Sequence, residues 1–483
     1  MANRLLPASA TRALSRYASL VDDEEAFLAA CARPLPLCGW MSPLRSAAPD
    51  SWDAMASDGI RYRTLSWRPA GIRLDTVPSM AESVAYRAGL FHIQEEASLL
   101  PVAMLAPQPG ERILDLCAAP GNKTAEIAST MGGRGTVVAN DRAASRLGVL
   151  QTTLDRLGLL NVSATALDGR SPAWPSDHFD AVLVDAPCSC DATVRKSPRA
   201  AAATSEAERQ KIATMQLDLL LNALRMVRPG GRVVYATCSF APEENELVVA
   251  SALAQTPGIR VQPVSLSGLD HGPGITHWNG ASLPDSLAHA VRLWPHLSDS
   301  GGFFAVLLVK EGPAVANREA HEAVPPIENP QVTSIMSFFE ELYGLSHGWD
   351  DSLRGFIRAS KGLDVIRNDH APDLSINVFA HGLCLARVNG RVPKLTTQGS
   401  LFLGSRITRQ FVTLDRPQTV RFMQGESVEP TATEAVFGYV QVRCHDLPVG
   451  VGLYDPSRGM LESQYPGSWG GLGRPRNSEG VVI

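Results

Sequence analysis

The chain has 483 residues, of which 45% are hydrophobic and 19% charged, with eight cysteines and a net charge of −5. These values predict a globular protein of two to four domains; they argue against a disulfide scaffold, since the cysteines are sparse, and against a membrane protein, since no apolar run of about 18 residues occurs. The net charge argues against non-specific coating of nucleic acid, but RNA binding through local patches stays open.

The amino-terminal part, residues 1–88, mixes two patterns. A helical pattern covers residues 11–30, and RYRTLSW (61–67) predicts a short strand. The start of the chain lacks an apolar block with a cleavage site, so the cytoplasm is the expected location. Four arginines either bind phosphate or form a solvated surface: Arg61, Arg63, Arg68 and Arg73. We predict an RNA-binding extension over this part.

From about residue 110, strands and helices alternate, which predicts a doubly wound α/β sheet. The predicted strands are RILDLC, GTVVAND, VSATALD, FDAVLVDAPCS and GRVVYATCS, with helices over 142–158 and 205–227. PEENELVVASAL predicts a further helix with Glu243 and Glu244 in its first turn, where the helix dipole favours acidic groups. IRVQPVSL and GGFFAVLLVK predict a strand pair at the sheet edge.

A linker-like segment, EGPAVANREAHEAVPPIENP (311–330), follows this core. Beyond it, LCLARVNG, FVTLDRP and EAVFGYVQVRC predict short strands separated by Gly, Pro and Asp. Residues 331–483 are therefore predicted to form a small β-rich module.

The turn LDLCAAPGNKT (114–124) lies between a strand and a helix, where nucleotide sites occur. It matches neither the dinucleotide fingerprint nor the P-loop. A cofactor without a pyrophosphate needs fewer backbone donors, so the turn favours S-adenosylmethionine, although it could be a plain connection. Asp141, Asp168 and Asp185 end the next three strands. Each alone could cap a helix, but together they predict a polar ligand at this rim.

Two thiols, Cys188 and Cys238, end the fourth and fifth predicted strands and should face one cleft. A thiol beside a methyl donor suits alkylation of a pyrimidine at carbon 5. The thiolate adds to carbon 6, carbon 5 attacks the methyl group, and a base removes the carbon 5 proton so that the thiol can leave. A redox pair, with Cys190 as a further partner, is the alternative. No cysteine has the CxxC spacing of a zinc site, so no metal is predicted.

Five ordered motifs resemble those of the Nop/Sun family of RNA 5-methylcytosine methyltransferases: GLFHIQEEAS, DLCAAPGNKT, DAPCSCDATVRK, YATCSFAPEENE and RLWPHLSDSGGFFAVLLVK. The resemblance implies a Rossmann-like class I methyltransferase core with a mixed seven-stranded sheet over residues 89–312. It also implies an α+β extension before this core and a PUA-like RNA-binding module in the tail, where PVGVGLYDPSRGMLESQYPGSW carries a weaker match.

The resemblance implies roles by position. Cys238 is the expected nucleophile, Cys188 is expected to assist proton removal or product release, and Asp185 is expected to contact both the cytosine and the cofactor. The residues expected to hold S-adenosylmethionine are Ala118, Ala119, Pro120, Gly121, Asn122, Lys123, Thr124, Asp141, Asp168 and Asp185. The sequence departs from the family pattern at three positions, where glycine or another small residue is usual: Asn122, Cys190 and Ala192.

Arg195 and Lys196 follow the PCS motif, residues 187–189, on a loop, and we predict that both contact RNA phosphates. The resemblance implies small-subunit ribosomal RNA, or the small subunit itself, as the substrate, and transfer RNA is the alternative within the same chemistry. A third reading is an RNA-binding assembly factor without activity. Such a protein would be expected to lose a rim cysteine or the cofactor carboxylates, and all of them are present.

Overall fold

The computed structural model describes residues 6–45, 50–77, 79–80, 82–197, 204–313, 329–358, 362–372, 376–388 and 392–470. Within these ranges, no helix is both long and apolar enough to cross a membrane. The described chain has an amino-terminal region, a central α/β region and a carboxyl-terminal region. The predicted linker lies mostly outside the described residues.

The amino-terminal region is a small antiparallel sheet flanked by helices. Its elements are α1 (Ala8–Leu14), α2 (Glu24–Cys31), β1 (Cys38–Met41), α3 (Asp50–Ser57), β2 (Arg61–Thr64), β3 (Gly71–Thr76), α4 (Val84–Arg87) and β4 (Phe91–Ile93). The strands pair in the order β2-β3-β1-β4. The Asp23 carboxylate caps α2 by accepting a hydrogen bond from the Ala26 amide, which would otherwise lack a partner within the helix.

Two of the four clustered arginines join this region to the central one. Arg68 donates to Glu126 at 2.8 Å, and Arg73 pairs with Glu96 at 2.5 Å. Both carboxylates are buried, so each needs such a partner. Arg61 and Arg63 remain exposed. The cluster therefore divides into two residues that hold the fold together and two that stay available at the surface.

The helices and strands of the central region include those that the alternating pattern predicts and several short ones that it does not. They are α5 (Leu100–Leu105), β5 (Arg112–Asp115), α6 (Asn122–Thr130), β6 (Thr136–Asn140), α7 (Ala144–Leu157), β7 (Val162–Thr165), β8 (Phe179–Asp185), α8 (Glu206–Met226), β9 (Val227–Thr237), α9 (Glu246–Gln255), β10 (Ile259–Val261), β11 (Gly272–Pro273), β12 (His277–Trp278), β13 (Ala281–Ser282), β14 (Val291–Leu293), α10 (Pro295–Ser298) and β15 (Phe303–Lys310). Helix α8 begins with a capping box formed by Ser205 and Glu208.

The central sheet positions the site. Strands β7, β6, β5, β8 and β9 are parallel neighbours in that order, and β15 pairs with β9 in the antiparallel direction. The chain runs outward from β5 to β7 and then returns to β8 on the other side of β5. Ligands of open α/β sheets bind at such a switch point, beyond the carboxyl ends of the strands.

The sheet has ten strands among the described residues, so the expectation of seven is wrong. Its order is β11-β14-β15-β9-β8-β5-β6-β7-β18, and β10 also pairs with β15. Short strands extend one side, and β18 comes from the carboxyl-terminal region to cover the other. The predicted pairing of β10 with β15 is confirmed, but β15 lies inside the sheet, between β9 and β14.

The carboxyl-terminal region contributes two further sheets. Its elements are α11 (Pro330–Tyr343), β16 (Leu353–Arg358), β17 (Gly362–Arg367), β18 (Val378–His381), β19 (Leu383–Arg387), β20 (Lys394–Leu395), α12 (Thr397–Leu403), β21 (Phe411–Leu414), α13 (Arg416–Met423), β22 (Ala432–Glu434), β23 (Gly438–Cys444), β24 (Leu447–Asp455), β25 (Met460–Ser463) and α14 (Gly467–Gly470). The sheet orders are β16-β17-β19-β20 and β22-β21-β23-β24-β25. The predicted β-rich character is confirmed.

Candidate active site

The turn after β5 is held tightly in place. The Ala118 amide donates to the Asn140 carbonyl at 2.7 Å, and the Ala119 amide donates to the Asp141 carboxylate at 3.1 Å. Gly121 has a φ of +105°, and a Cβ there would lie 2.9 Å from Leu150. This position therefore requires glycine, both for its backbone conformation and for its close approach to α7.

Asn122 is the first residue of α6, whereas the sequence analysis placed it in the turn before this helix. The Asn122 Oδ1 atom lies 3.0 Å from His92 Nε2. Burial lowers the pKa of His92 to about 3, and the ring is therefore neutral. Because Arg156 donates to its Nδ1, the His92 proton lies on Nε2 and is donated to Asn122.

A cavity of about 890 Å³ opens beside this turn, which is within the usual size range of small-molecule sites. Its walls come from the turn, the ends of β8 and β9, and an amino-terminal segment over residues 31–38. Among the lining residues are Glu95, Ser98, Asp115, Cys117, Ala118, Ala119, Pro120, Asn122, Lys123, Asp185, Cys238 and Phe303. Most of the predicted cofactor turn thus lines one cavity together with the predicted nucleophile.

Asp115, which ends β5, is a cavity residue that the sequence analysis did not single out. Its Oδ2 atom accepts a hydrogen bond from Thr124 at 2.7 Å, while its buried Oδ1 atom has no hydrogen-bond partner among the described residues. Burial raises the pKa of Asp115 to about 7, with Asp185 and Asp141 adding to the effect. An unpaired buried acceptor beside a cavity indicates a ligand that donates a hydrogen bond.

Asp141 and Asp168 lie outside the residues that line this cavity. Asp141 is buried and accepts hydrogen bonds from two backbone amides and from Arg146, so it supports the turn. Asp168 binds Arg170 at 2.6 Å, and this hydrogen bond lowers the pKa of Asp168 to about 2. Direct contact of either carboxylate with a cofactor stays a prediction.

Lys123 and Asp185 form a partly buried ion pair inside the cavity. The Lys123 Nζ atom donates to Asp185 Oδ2 at 2.7 Å and to Ser98 Oγ at 2.8 Å. Burial acts to lower the pKa of Lys123, but Asp185, together with Cys238 and Asp115, outweighs it, so the pKa is raised. The ammonium is therefore charged at neutral pH, and it fixes the position of the carboxylate.

The ends of β8 and β9 bring three thiols together. The Cys188 and Cys238 sulfur atoms are 3.3 Å apart, and those of Cys188 and Cys190 are 3.8 Å apart. The hydrogen bond with Cys188 lowers the pKa of Cys238, but Cys190, burial and Asp185 outweigh it and raise the pKa well above its ordinary value. The Cys238 thiol is therefore protonated at rest and needs a proton acceptor before it can attack.

The sequence comparisons identify the family. The profile of the family described as 16S rRNA methyltransferase RsmB/F matches residues 102–309. Ribosomal RNA small subunit methyltransferase F of Escherichia coli is 30% identical over 463 residues, which is 91% of each chain. This chain belongs to the RsmB/F family. The protein of that name from Shewanella loihica is 33% identical over 66% of each chain.

The solved structures agree with this assignment. A methyltransferase homologue from Pyrococcus horikoshii has a TM-score of 0.55 and 29% identity, over 63% of this chain and 100% of that chain. The central region of this RsmB/F-family chain therefore has the class I S-adenosylmethionine-dependent methyltransferase fold, with a mixed sheet. The resemblance to the Nop/Sun family is confirmed.

In this RsmB/F-family chain, one buried carboxylate holds both thiol loops. Glu244 Oε2 accepts a hydrogen bond from the Ser189 amide at 2.9 Å, and its Oε1 atom accepts one from the Ser239 hydroxyl at 3.1 Å. These residues directly follow Cys188 and Cys238. The expectation that Glu244 lies in the first turn of a helix is wrong, since α9 begins at Glu246. Glu244 instead fixes the separation of the two thiols.

The prediction that Arg195 contacts RNA needs correction. Its side chain is buried, and it donates to the backbone carbonyls of Arg33, Pro34 and Ser300 and to the Asp299 carboxylate. These bonds attach the amino-terminal region to the loop that follows Cys188 and Cys190. Lys196 is exposed and remains a candidate for RNA contact. Arg199, in the same basic stretch, lies outside the described residues.

We expect Arg195 and Lys196 to differ sharply when each is replaced by alanine. Arg195→Ala leaves buried carbonyls unpaired, so it should lower the free energy of unfolding by about 2 kcal/mol in a denaturant titration. Lys196→Ala should leave that free energy unchanged and weaken RNA binding, with the slope of log affinity against log salt reduced by about 1. Equal stability of Arg195→Ala and the wild type would contradict this assignment.

Proposed function

We propose that this chain is a cytoplasmic, S-adenosylmethionine-dependent methyltransferase that forms 5-methylcytosine in RNA, with small-subunit ribosomal RNA as its substrate. The observation that carries the proposal is the placing of two thiols, Cys188 and Cys238, 3.3 Å apart beside the cavity that holds the Lys123–Asp185 pair. The substrate follows from the relatives, which are named for small-subunit ribosomal RNA.

The cavity fits the proposed cofactor. The unpaired Asp115 Oδ1 atom offers an acceptor for its amino group, and the backbone of residues 118–122 lies beside the same space. Asp141 and Asp168 are kept as the proposed partners of its ribose and adenine groups. When bound, S-adenosylmethionine supplies an electrophilic methyl group. A carboxylate cluster suits the positive charge that this cofactor carries.

In the proposed mechanism, Cys238 passes its proton to the Asp185 carboxylate, and its sulfur forms a bond with carbon 6 of the cytosine. Asp185, held by Lys123, delivers this proton to nitrogen 3 and so neutralises the negative charge that the addition places on the ring. Carbon 5 gains the methyl group and then gives up its proton to solvent, with Cys188 assisting. The bond between sulfur and carbon 6 then breaks, nitrogen 3 returns its proton through Asp185, and Cys238 is free again.

The other regions are proposed to bind the RNA. We assign this role to residues 1–88, to Lys196, and to the tail over 331–483, in which the five-stranded sheet of β21–β25 supports a PUA-like module. Residues 89–312 form the proposed catalytic domain. Transfer RNA remains the alternative substrate. A non-catalytic assembly factor is disfavoured because the thiols and the cavity carboxylates are all present.

The test uses the full chain with methyl-labelled S-adenosylmethionine and three separate acceptors: unmodified small-subunit ribosomal RNA, assembled small subunits and transfer RNA. The proposal expects label on carbon 5 of a cytosine in one of the first two. Label in transfer RNA alone would replace the substrate and keep the chemistry. Cofactor binding without transfer to any acceptor would favour the assembly-factor function.

A further inference from the structure

Three thiols converge at the candidate active site, although the proposed reaction uses only two of them. The sulfur atoms of Cys188, Cys190 and Cys238 all lie within 4.8 Å of one another. Among the described residues, this is the one cluster of three or more cysteine, histidine or carboxylate groups close enough to share a metal ion. Two of its members come from one loop, and the third lies at the end of β9.

Cys190 is the unexpected member of the cluster. Its φ is +59°, a conformation in which a residue with a side chain is strained and glycine is not. The backbone therefore explains why glycine suits this position. Here a thiol stands there instead, with its sulfur atom 3.8 Å from that of Cys188 and 3.4 Å from the Cys188 carbonyl oxygen. The side chain thus points towards the reactive pair.

The geometry is close to that of a tetrahedral thiolate site. Zinc–sulfur bonds of about 2.3 Å place neighbouring sulfur atoms about 3.8 Å apart. The Cys188–Cys190 separation is 3.8 Å, the Cys188–Cys238 separation is 3.3 Å, and the Cys190–Cys238 separation is at most 4.8 Å, so adjustments of no more than about 1 Å bring the three sulfur atoms to this spacing. Glu244 already holds the loops of Cys188 and Cys238, so the ligands are pre-positioned.

We propose that Cys188, Cys190 and Cys238 bind one thiophilic metal ion, of the class of Zn²⁺ or Cd²⁺, and that this ion prevents Cys238 from acting as the nucleophile. On binding, three sulfur–metal bonds form, and each S–H bond still present breaks and releases its proton to solvent, with no change of oxidation state. The ion reaches Cys238 through the cavity, which Cys238 lines. Three protein ligands leave the fourth position to water.

Inhibition follows because the sulfur that must bond to carbon 6 is already bonded to the metal. Soft thiolate ligands select zinc and cadmium over the hard cations that oxygen ligands prefer, so Mg²⁺ should have no such effect. The thiol cluster alone supports the metal site. The inhibitory effect of the metal also depends on the proposed function.

The binding test uses the full chain, reduced with a phosphine and freed of metal, without RNA or cofactor. Zn²⁺ is titrated against a chromophoric chelator, and Cd²⁺ is followed by its thiolate charge-transfer absorption. We compare the wild type with Cys190→Gly, which removes one ligand and relieves the strained backbone. Cys384→Ala removes a buried thiol in β19, far along the chain from the cluster, and serves as the matched control.

We expect one ion per wild-type chain, an affinity about 100-fold lower for Cys190→Gly, and no change for Cys384→Ala. Equal affinities of the wild type and Cys190→Gly would overturn the site, as would the absence of the cadmium–thiolate absorption. In the transfer assay, Zn²⁺ should inhibit the wild type until a chelator is added and should spare Cys190→Gly. Full wild-type activity at saturating Zn²⁺ would overturn the inhibitory role without touching the proposed function.

Discussion

Cys238→Ala is expected to lower methyl transfer by at least about 10,000-fold, because Cys238 is the group proposed to form the bond to carbon 6 on which the methylation depends. The measurement is single-turnover transfer of labelled methyl groups to the RNA that the wild type modifies. Affinity for S-adenosylmethionine should stay within about twofold, because the proposed cofactor contacts lie in the turn and not at this thiol.

Two matched variants sharpen this result. Cys384→Ala makes the same chemical change in β19 and should leave transfer unchanged. Cys188→Ala should accumulate a protein–RNA adduct that survives denaturation, since release of the product is then impaired while Cys238 can still attack. Transfer that persists in Cys238→Ala would refute the assignment of the nucleophile.

Asp185→Asn is expected to lower methyl transfer by about 1,000-fold at neutral pH. The amide keeps the shape of the side chain and can still accept a hydrogen bond from Lys123. It cannot carry a proton from Cys238 to nitrogen 3 of the ring, however, and it leaves the Lys123 ammonium beside a neutral partner. Single-turnover rates at saturating cofactor and RNA measure the loss.

The pH dependence distinguishes this role from a structural one. In the wild type, Asp185, together with Cys238 and Asp115, outweighs burial and raises the pKa of Lys123, so Lys123 stays charged to high pH. In Asp185→Asn, burial dominates and the pKa of Lys123 falls. The rate of the variant should therefore begin to decline at a lower pH than that of the wild type as the pH rises. Superimposable alkaline limbs would argue against coupling between the two groups.

The alternation of strands and helices in the central region and the meeting of Cys188 with Cys238 could be predicted from the sequence. The carboxyl ends of parallel strands lie at one edge of the sheet. Residues that end neighbouring strands therefore lie close together, regardless of the conformation of the loops. The turn over residues 118–124 was predictable for the same reason. The need for glycine at position 121 became clear only from its φ of +105° in the structure.

Other parts depend on contacts between distant segments, which no local pattern records. Arg195 looked like a surface arginine, and only the packing of residues 33 and 34 against its loop shows that its donors are used. Glu244 follows a helix-like pattern, yet its carboxylate turns inward because the amide of Ser189 needs an acceptor. The spacing of the cysteines gave no sign of the thiol cluster either, because a spacing rule cannot reveal a cluster assembled from two loops.

The strand β18 has a consequence for how the chain can be divided. It pairs with β7 along Ser163–Thr165, and the neighbouring His370 bonds to the Ser163 hydroxyl at 2.7 Å. A catalytic half cut off after Lys310 would leave β7 as an open edge, with backbone groups free to pair with another molecule. The carboxyl-terminal region thus protects the catalytic sheet from self-association. The linker-like segment therefore does not separate two independent folding units.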